Sequence, residues 1–203
     1  MKNHANRRRR LLAGFSLLEL LVTVSVAGTL ASIAVPSFGR LVQDTRRAAV
    51  VNELSATLLQ ARSQANASSR SIAVCGLEDS NGDGRLDPGE RRCRGADWSH
   101  GWFAAPWTDT NRDGRVDPAE LSEPLRVFIN DAPGVAVRAP GFANAALPSG
   151  TVVLRPLDRY SSNGTIVVCD RRGAESARAL VLAGNGRARL ASRASDGRAL
   201  PCP

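Results

Sequence analysis

From Gly14 to Pro36 the chain reads GFSLLELLVTVSVAGTLASIAVP, and between Phe15 and Val35 it offers a single ionisable side chain, Glu19. At about 1.5 Å per residue such a run makes a helix of roughly 30 Å, the thickness of a bilayer's hydrocarbon core. A carboxylate at the centre of a membrane helix costs on the order of 2.5 kcal/mol or more, so Glu19 calls for a partner. Arg7, Arg8, Arg9 and Arg10 stand in front of the run. By the positive-inside rule they hold the N-terminus in the cytoplasm, and everything after Pro36 then lies beyond the inner face of the membrane.

After the apolar run, 203 residues leave room for one further domain of roughly 130 residues with a core of its own. Of the 27 basic residues, Lys2 and four arginines precede Gly14; the remaining 22, all arginine, face 19 acids. The distribution is uneven. Leu121 to Pro203 carries 11 arginines against 6 acids, whereas eight acids crowd into two short runs before Leu121. Arginine forks onto phosphate and carboxylate in a way lysine does not, so the C-terminal part is a candidate anion-binding surface.

Past Pro36 the helical pattern continues and turns amphipathic. Phe38, Leu41, Thr45, Ala48, Val51, Leu54, Leu58, Ala61 and Ala65 recur at steps of three or four, with Arg40, Arg46, Arg47, Gln60 and Arg62 mostly on other faces. The spacing predicts one helix from Phe15 to about Ala67, its second half buried against a domain. From Ser71 the chain breaks into short β-branched runs between Gly, Pro, Asn and Asp. Strands are expected at Ser71 to Cys75, Leu125 to Asn130, Val135 to Arg138, Thr151 to Arg155, Thr165 to Cys169, Ala179 to Ala183 and Arg187 to Ala191. Asn163-Gly164 and Asn185-Gly186 are read as hairpin turns. Trp98, Trp102, Phe103 and Trp107 are read as core or subunit-contact aromatics rather than a platform for nucleobases.

Cys75, Cys93, Cys169 and Cys202 form an even set outside the cytoplasm, which points to disulfides. Three pairings are open; the sequence-near one, Cys75 with Cys93 and Cys169 with Cys202, is the expectation. Zinc is poorly supported, because there is no C-x-x-C pair and only His100 remains after the leader.

Two twelve-residue runs match the calcium loop of an EF-hand at its key positions. The first offers Asp79, Asn81, Asp83, the carbonyl of Arg85, Asp87 and Glu90. The second offers Asp109, Asn111, Asp113, the carbonyl of Arg115, Asp117 and Glu120. Alternate side chains point inward, the glycine at position six (Gly84, Gly114) allows the turn, and the final Glu closes the shell with two oxygens. No amphipathic helices flank either run, so the expectation is structural calcium held between β elements, the competing reading being ordinary Asx turns. Near the C-terminus, Gly186-Arg187-Ala188-Arg189 follows the Asn185 turn. In a strand Arg187 and Arg189 share a face about 7 Å apart, a spacing suited to neighbouring phosphates; Arg193 and Arg198 follow. No nucleophile elbow, P-loop or histidine-partnered nucleophile occurs, so an enzyme is not expected.

The basic leader, the Gly14-Phe15 junction, Glu19 five residues into the apolar run and the proline at position 36 resemble the processing region of type IV prepilins and pseudopilins. The resemblance implies that a prepilin peptidase cuts after Gly14, that Phe15 becomes the methylated N-terminus, and that Glu19 pairs with the N-terminal amine of a neighbouring subunit. Cys75, Cys93, Trp98, Gly101-Trp102-Phe103, the Asp109 loop, Cys169-Asp170, Gly186-Arg187 and Cys202 are similar to the GspH/FimT branch of those proteins. Gly186-Arg187-Ala188-Arg189 resembles the G-R-x-R motif of the FimT-type minor pilins that bind DNA for natural transformation.

The expected architecture is α+β: a leader over residues 1–14, a membrane-spanning helix over 15–36, its amphipathic continuation over 37–70, and an antiparallel β head over 71–203 in the periplasm. The expected function is that of a minor type IV pilin, single-pass in the inner membrane until assembled with other pilin subunits. Its C-terminal arginines (Arg187, Arg189, Arg193, Arg198) would contact double-stranded DNA without regard to sequence. The alternative is a GspH-type pseudopilin at the tip of a type II secretion pseudopilus.

Overall fold

The computed structural model describes residues 16–78, 81, 83, 90, 93, 95–140, 142, 150–157, 159–194 and 196–202. It divides into two compact units, Met1–Val42 and Gln43–Pro203. One helix, α1 (Leu17–Ser68), contributes to both. In the first unit it contains a stretch long and apolar enough to cross a membrane, and Leu17, Leu18, Leu30, Ile33 and Val35 are all exposed. Glu19 lies in the first turn, where its backbone N–H donates to Ser16 Oγ at 3.2 Å.

In the second unit α1 buries Arg47, Val50, Val51, Leu54, Thr57, Leu58, Ala61 and Ala65. The amphipathic stripe therefore runs through Val51, Leu54, Leu58, Ala61 and Ala65 as the spacing predicts, but its beginning differs. Thr45 and Ala48 are exposed, Arg47 and Val50 take the buried face, and Phe38 and Leu41 fall in the first unit. The physical reason is Arg47. A cation reads as a surface residue, yet here its Nη1 donates to Asp170 Oδ2 at 3.0 Å and its Nη2 to Asp44 Oδ1 at 2.7 Å. The helix stops at Ser68 because Ser69 turns into the left-handed region at φ 52° without the glycine that usually marks such a stop.

Among the described residues eight strands follow: β1 (Ser71–Gly76), β2 (Gly101–Trp107), β3 (Arg126–Ile129), β4 (Val135–Arg138), β5 (Val152–Leu154), β6 (Gly164–Asp170), β7 (Arg178–Leu182) and β8 (Ala188–Ala191). They form two four-stranded sheets, β3-β2-β1-β5 and β4-β6-β7-β8, antiparallel throughout. Seven strands stand within a residue or two of their expected places; β2 was not foreseen. It is a central strand buried on both faces, so it lacks the alternation that marks a half-exposed strand, and Pro106 argues against one. Pro106 is tolerated because its carbonyl, which accepts from the Ser122 N–H at 2.9 Å, faces the side where pairing with β3 has already ended at Ala104–Arg126. The missing N–H lies on that same side. Asn163-Gly164 is not a hairpin turn: β5 belongs to the first sheet and β6 to the second, so the dipeptide leads into β6 from the other layer. Asn185-Gly186 does join a hairpin, β7–β8.

Alternation along each strand builds three apolar clusters. Ile72 and Val74 of β1, Trp102 of β2, Ile166 and Val168 of β6 and Leu180 and Leu182 of β7 pack with Leu54, Leu58 and Ala61 of α1, so the helix covers one face of both sheets. Ala73, Cys75, Phe103 and Trp107 point to the opposite face of the first sheet, where Cys93, Val116 and Leu121 cover them. Val167, Cys169 and Ala179 do the same on the second sheet under Leu200 and Cys202. The disulfides sit in these two outer clusters, Cys75 joined to Cys93 and Cys169 to Cys202. Trp98, Trp102, Phe103 and Trp107 are all buried, which removes them as a base-stacking platform. Trp102 Nε1 donates to Thr57 Oγ1 of α1 at 3.0 Å, and its ring centroid lies 4.5 Å from that of Phe128.

Candidate functional site

Gly186 shapes the C-terminal arginine face. Its φ is +74°, a conformation that glycine adopts at no steric cost, and its N–H donates to the Ala183 carbonyl at 2.8 Å. A Cβ there would come within 3.3 Å of Ser161 Oγ and 3.4 Å of Arg62 Cδ. Asn185 Oδ1 accepts from the Arg187 N–H at 3.0 Å and fixes the way into β8. Arg187 stands just before β8, and Arg189 stands within it, opposite Val181. β8 is an edge strand and both arginines are exposed. Among the described residues no carboxylate comes within ion-pairing distance of either.

Sequence spacing missed a third cation. Arg62 of α1 lines, with Arg187, Leu59 and Leu190, a groove of about 390 Å³ between the helix and the β7–β8 hairpin. Its helical position offered no local signal, because the hairpin that meets it is more than a hundred residues away in sequence. Arg193 and Arg198 belong to a separate turn after β8. Arg193 Nη1 donates to the Gly197 carbonyl at 3.3 Å, and Arg198 Nε lies 3.4 Å from Asp196 Oδ2.

The second acidic loop is described in full. Gly114 turns it at φ +73°, and the Gly114 N–H donates to Asp109 Oδ2 at 3.1 Å. Asn111 Oδ1 accepts from the Asp113 N–H at 3.0 Å, and Asp113 Oδ1 from the Arg115 N–H at 2.7 Å. Asp117 Oδ2 accepts from Asn111 Nδ2 at 3.3 Å. Glu120, in a 3-10 turn over Pro118–Glu120, is buried and fully engaged. Its Oε2 accepts from Trp107 Nε1 at 3.1 Å, and its Oε1 from the Thr110 N–H at 2.7 Å and hydroxyl at 2.8 Å. The Trp107 hydrogen bond, opposed by burial and helped by Thr110, lowers the Glu120 carboxyl to about 2. Among the described residues no three acids, cysteines or histidines gather around one point that could hold a metal ion. Of the first acidic loop, Asp79, Arg85 and Asp87 lie outside the described residues, while Asn81, Asp83 and Glu90 are within them. Gly14 and Phe15 also lie outside them.

One buried acid enters the sequence reading only through the Cys169-Asp170 resemblance and carries no site role there. Asp170, at the end of β6, has a side chain only 2% exposed and accepts from Arg47, Arg172 and, at 2.7 Å, Ser176 Oγ. The adjacent Arg172 guanidinium is the main reason its carboxyl is held well below the usual carboxylate range. It joins the second sheet to α1.

The model of the family described as "Type II transport protein GspH" matches residues 50–186, from the buried half of the helix to the glycine of the hairpin turn. The chain belongs to the GspH family. The family match ends at Gly186, so Arg187 and Arg189 lie just past it. Two crystal forms of the type IV minor pilin FimU of Pseudomonas aeruginosa resemble this GspH-family chain at 19% and 18% identity, each with a TM-score of 0.47. They align over 73% and 77% of this chain and 97% and 98% of their own. No curated protein matches the sequence. As a GspH-family member the chain is a pilin-like subunit of a family that is structural rather than enzymatic, carrying an apolar N-terminal helix suited to a membrane-anchored pilus subunit.

Proposed function

We propose that this GspH-family chain is a minor type IV pilin that assembles with other pilin subunits and binds extracellular double-stranded DNA for natural transformation. The observation that carries the reading is the exposed pair Arg187, just before an edge strand, and Arg189, within it, without acidic partners among the described residues and with Arg62 lining a groove beside Arg187. Guanidinium forks of this kind take phosphate oxygens irrespective of base sequence. Before assembly the apolar half of α1 spans the inner membrane once with the β head in the periplasm. A prepilin peptidase removes the leader at Gly14, and Glu19 meets the new terminal amine at Phe15 of a neighbouring copy. No catalytic step is assigned to it.

The test is a polarisation titration of the full-length protein in non-ionic detergent on duplex DNA at several salt concentrations. Arg187→Gln with Arg189→Gln is expected to weaken binding at least tenfold and to flatten the salt dependence, since fewer counterions are released. Equal binding by both proteins would move the assignment to a pseudopilin of a type II secretion filament, the reading favoured by the description of the matched family. We further propose that the second acidic loop takes structural calcium. Its glycine turn and alternating oxygens support this, and Asp109 Oδ1 is buried with no hydrogen-bond partner among the described residues. Closing the shell requires Glu120 to exchange its Trp107 and Thr110 donors for the ion.

A further inference from the structure

Where α1 gives way to β1, a cleft of about 680 Å³ opens between segments far apart in sequence. Four arginines line it: Arg70 from the link between helix and strand, Arg112 from the second acidic loop, Arg155 just after β5, and Arg159 from the next turn. Among the described residues none of the four has a carboxylate within ion-pairing distance. Asp109 also lines the cleft, but its Oδ2 accepts from the Gly114 N–H and its loop holds it there.

Among the described residues, two of the guanidiniums donate their hydrogen bonds to neutral groups. Arg70 Nη2 donates to Thr108 Oγ1 at 3.1 Å and to Ser122 Oγ at 3.4 Å, and Arg155 Nη1 donates to the Tyr160 carbonyl at 3.0 Å. Each guanidinium has five N–H donors, and most of them find no partner among the described residues. Burial, then the neighbouring Arg159, weakens the hold of Arg155 on its proton, with Asp109 only partly opposing this. Among the described lining residues four guanidiniums face the single carboxylate of Asp109, and placing like charges together in a concave site in such excess is costly unless an anion enters. The aromatic wall adds little, because Trp107 is buried and its Nε1 is committed to Glu120.

We propose that this cleft is a binding site for clustered phosphates, separate from the Arg187–Arg189 face. Four guanidinium forks lining one cleft suit a ligand with several tetrahedral anionic groups better than a single carboxylate. The two basic surfaces are joined by one short segment. Arg159 is followed by Tyr160, 87% exposed, and by Ser161, whose N–H donates to the Gly184 carbonyl at 2.8 Å beside the Gly186 turn. A nucleic-acid backbone running along that segment and a free oligophosphate seated in the cleft alone present the same chemistry.

The probe is inorganic tripolyphosphate, titrated by calorimetry at matched ionic strength into the full-length protein in non-ionic detergent. Saturable one-to-one binding is expected, weakened at least tenfold in Arg155→Gln with Arg159→Gln and unchanged in Arg187→Gln with Arg189→Gln. Arg112→Gln, at an exposed position outside the core, is a second variant, expected to lose severalfold whether or not the double variant folds. No binding by wild type, or binding unaltered by both the cleft pair and Arg112→Gln, overturns the proposal. In parallel, a duplex-DNA salt slope reduced by about one to two in the cleft variant identifies the backbone as the source, since each lost phosphate contact removes about 0.9 from the slope. An unchanged slope alongside lost tripolyphosphate binding identifies a free oligophosphate and equally supports the cleft. Tripolyphosphate binding without DNA binding by wild type removes the DNA reading and leaves the cleft standing.

Discussion

Asp170 accepts hydrogen bonds from three side chains and faces Arg47, a buried cation on the helix. Removing one partner of such a pair strands the other without its charge, typically at a cost of about 3–5 kcal/mol. Asp170→Ala is therefore expected to lower the unfolding free energy by about 3 kcal/mol, the partly exposed Asp44 retaining some hold on Arg47. Urea unfolding at neutral pH measures this, and a loss below about 1 kcal/mol would mean that Asp44 suffices. Glu120 gives a pH signature. Its carboxyl lies at about 2 against an ordinary value of 4.5, so the folded state favours the ionised form. The stability this supplies is complete above about pH 4.5 and is lost as pH falls towards 2. Glu120→Gln should remain folded but lose that part of the acid-induced decline, which unfolding curves between pH 5 and 2 would show. An identical acid limb in both proteins would detach the Trp107 and Thr110 contacts from stability.

The second acidic loop behaves as a unit, because Asn111, Asp113 and Glu120 all bond back within it. Calcium that binds the folded loop alone adds RT ln(1 + [L]/Kd), about 2.7 kcal/mol at a hundred times Kd. A rise in melting temperature between chelator and millimolar calcium is expected, largely abolished by Asp113→Ala; an unchanged melting temperature would leave the loop an ordinary turn. The long helix, most strands and the β7–β8 turn were legible in the sequence because each depends on local periodicity or a local dipeptide. What escaped depends on pairing across distance. β2 carries no alternation because both its faces are covered, and Arg47 reads as surface until Asp170 is seen beside it. Asn163-Gly164 has a hairpin's local chemistry but leads into a strand of the other sheet. At the arginine face, Arg187 and Arg189 were visible from spacing, whereas Arg62, and the grouping of Arg70, Arg112, Arg155 and Arg159, arise only from the fold. The disulfide pairing agrees with the sequence-near expectation, since β1 and β6 each bring a cysteine to the outer face of its sheet.

For the whole molecule, the proposed reading covers the exposed leucines and valines of the first unit with a membrane or with the helices of other copies. Glu19→Ala is expected to insert normally, because the substitution removes a charge from the apolar run, yet to assemble poorly for want of a partner for the terminal amine. Membrane fractionation and filament recovery measure the two effects separately; normal assembly would release Glu19 from that role. Co-expression with a prepilin peptidase should give a product beginning at Phe15 by N-terminal sequencing. The bridge from Cys75 to Cys93 spans 18 residues of sequence, including the first acidic run. A protease that cuts once between those cysteines therefore cannot release either piece. On a non-reducing gel the nicked subunit would migrate as a single band, and only a thiol reductant would separate its two fragments. A subunit cleaved there keeps its helix and its arginine-bearing C-terminus on one covalent framework.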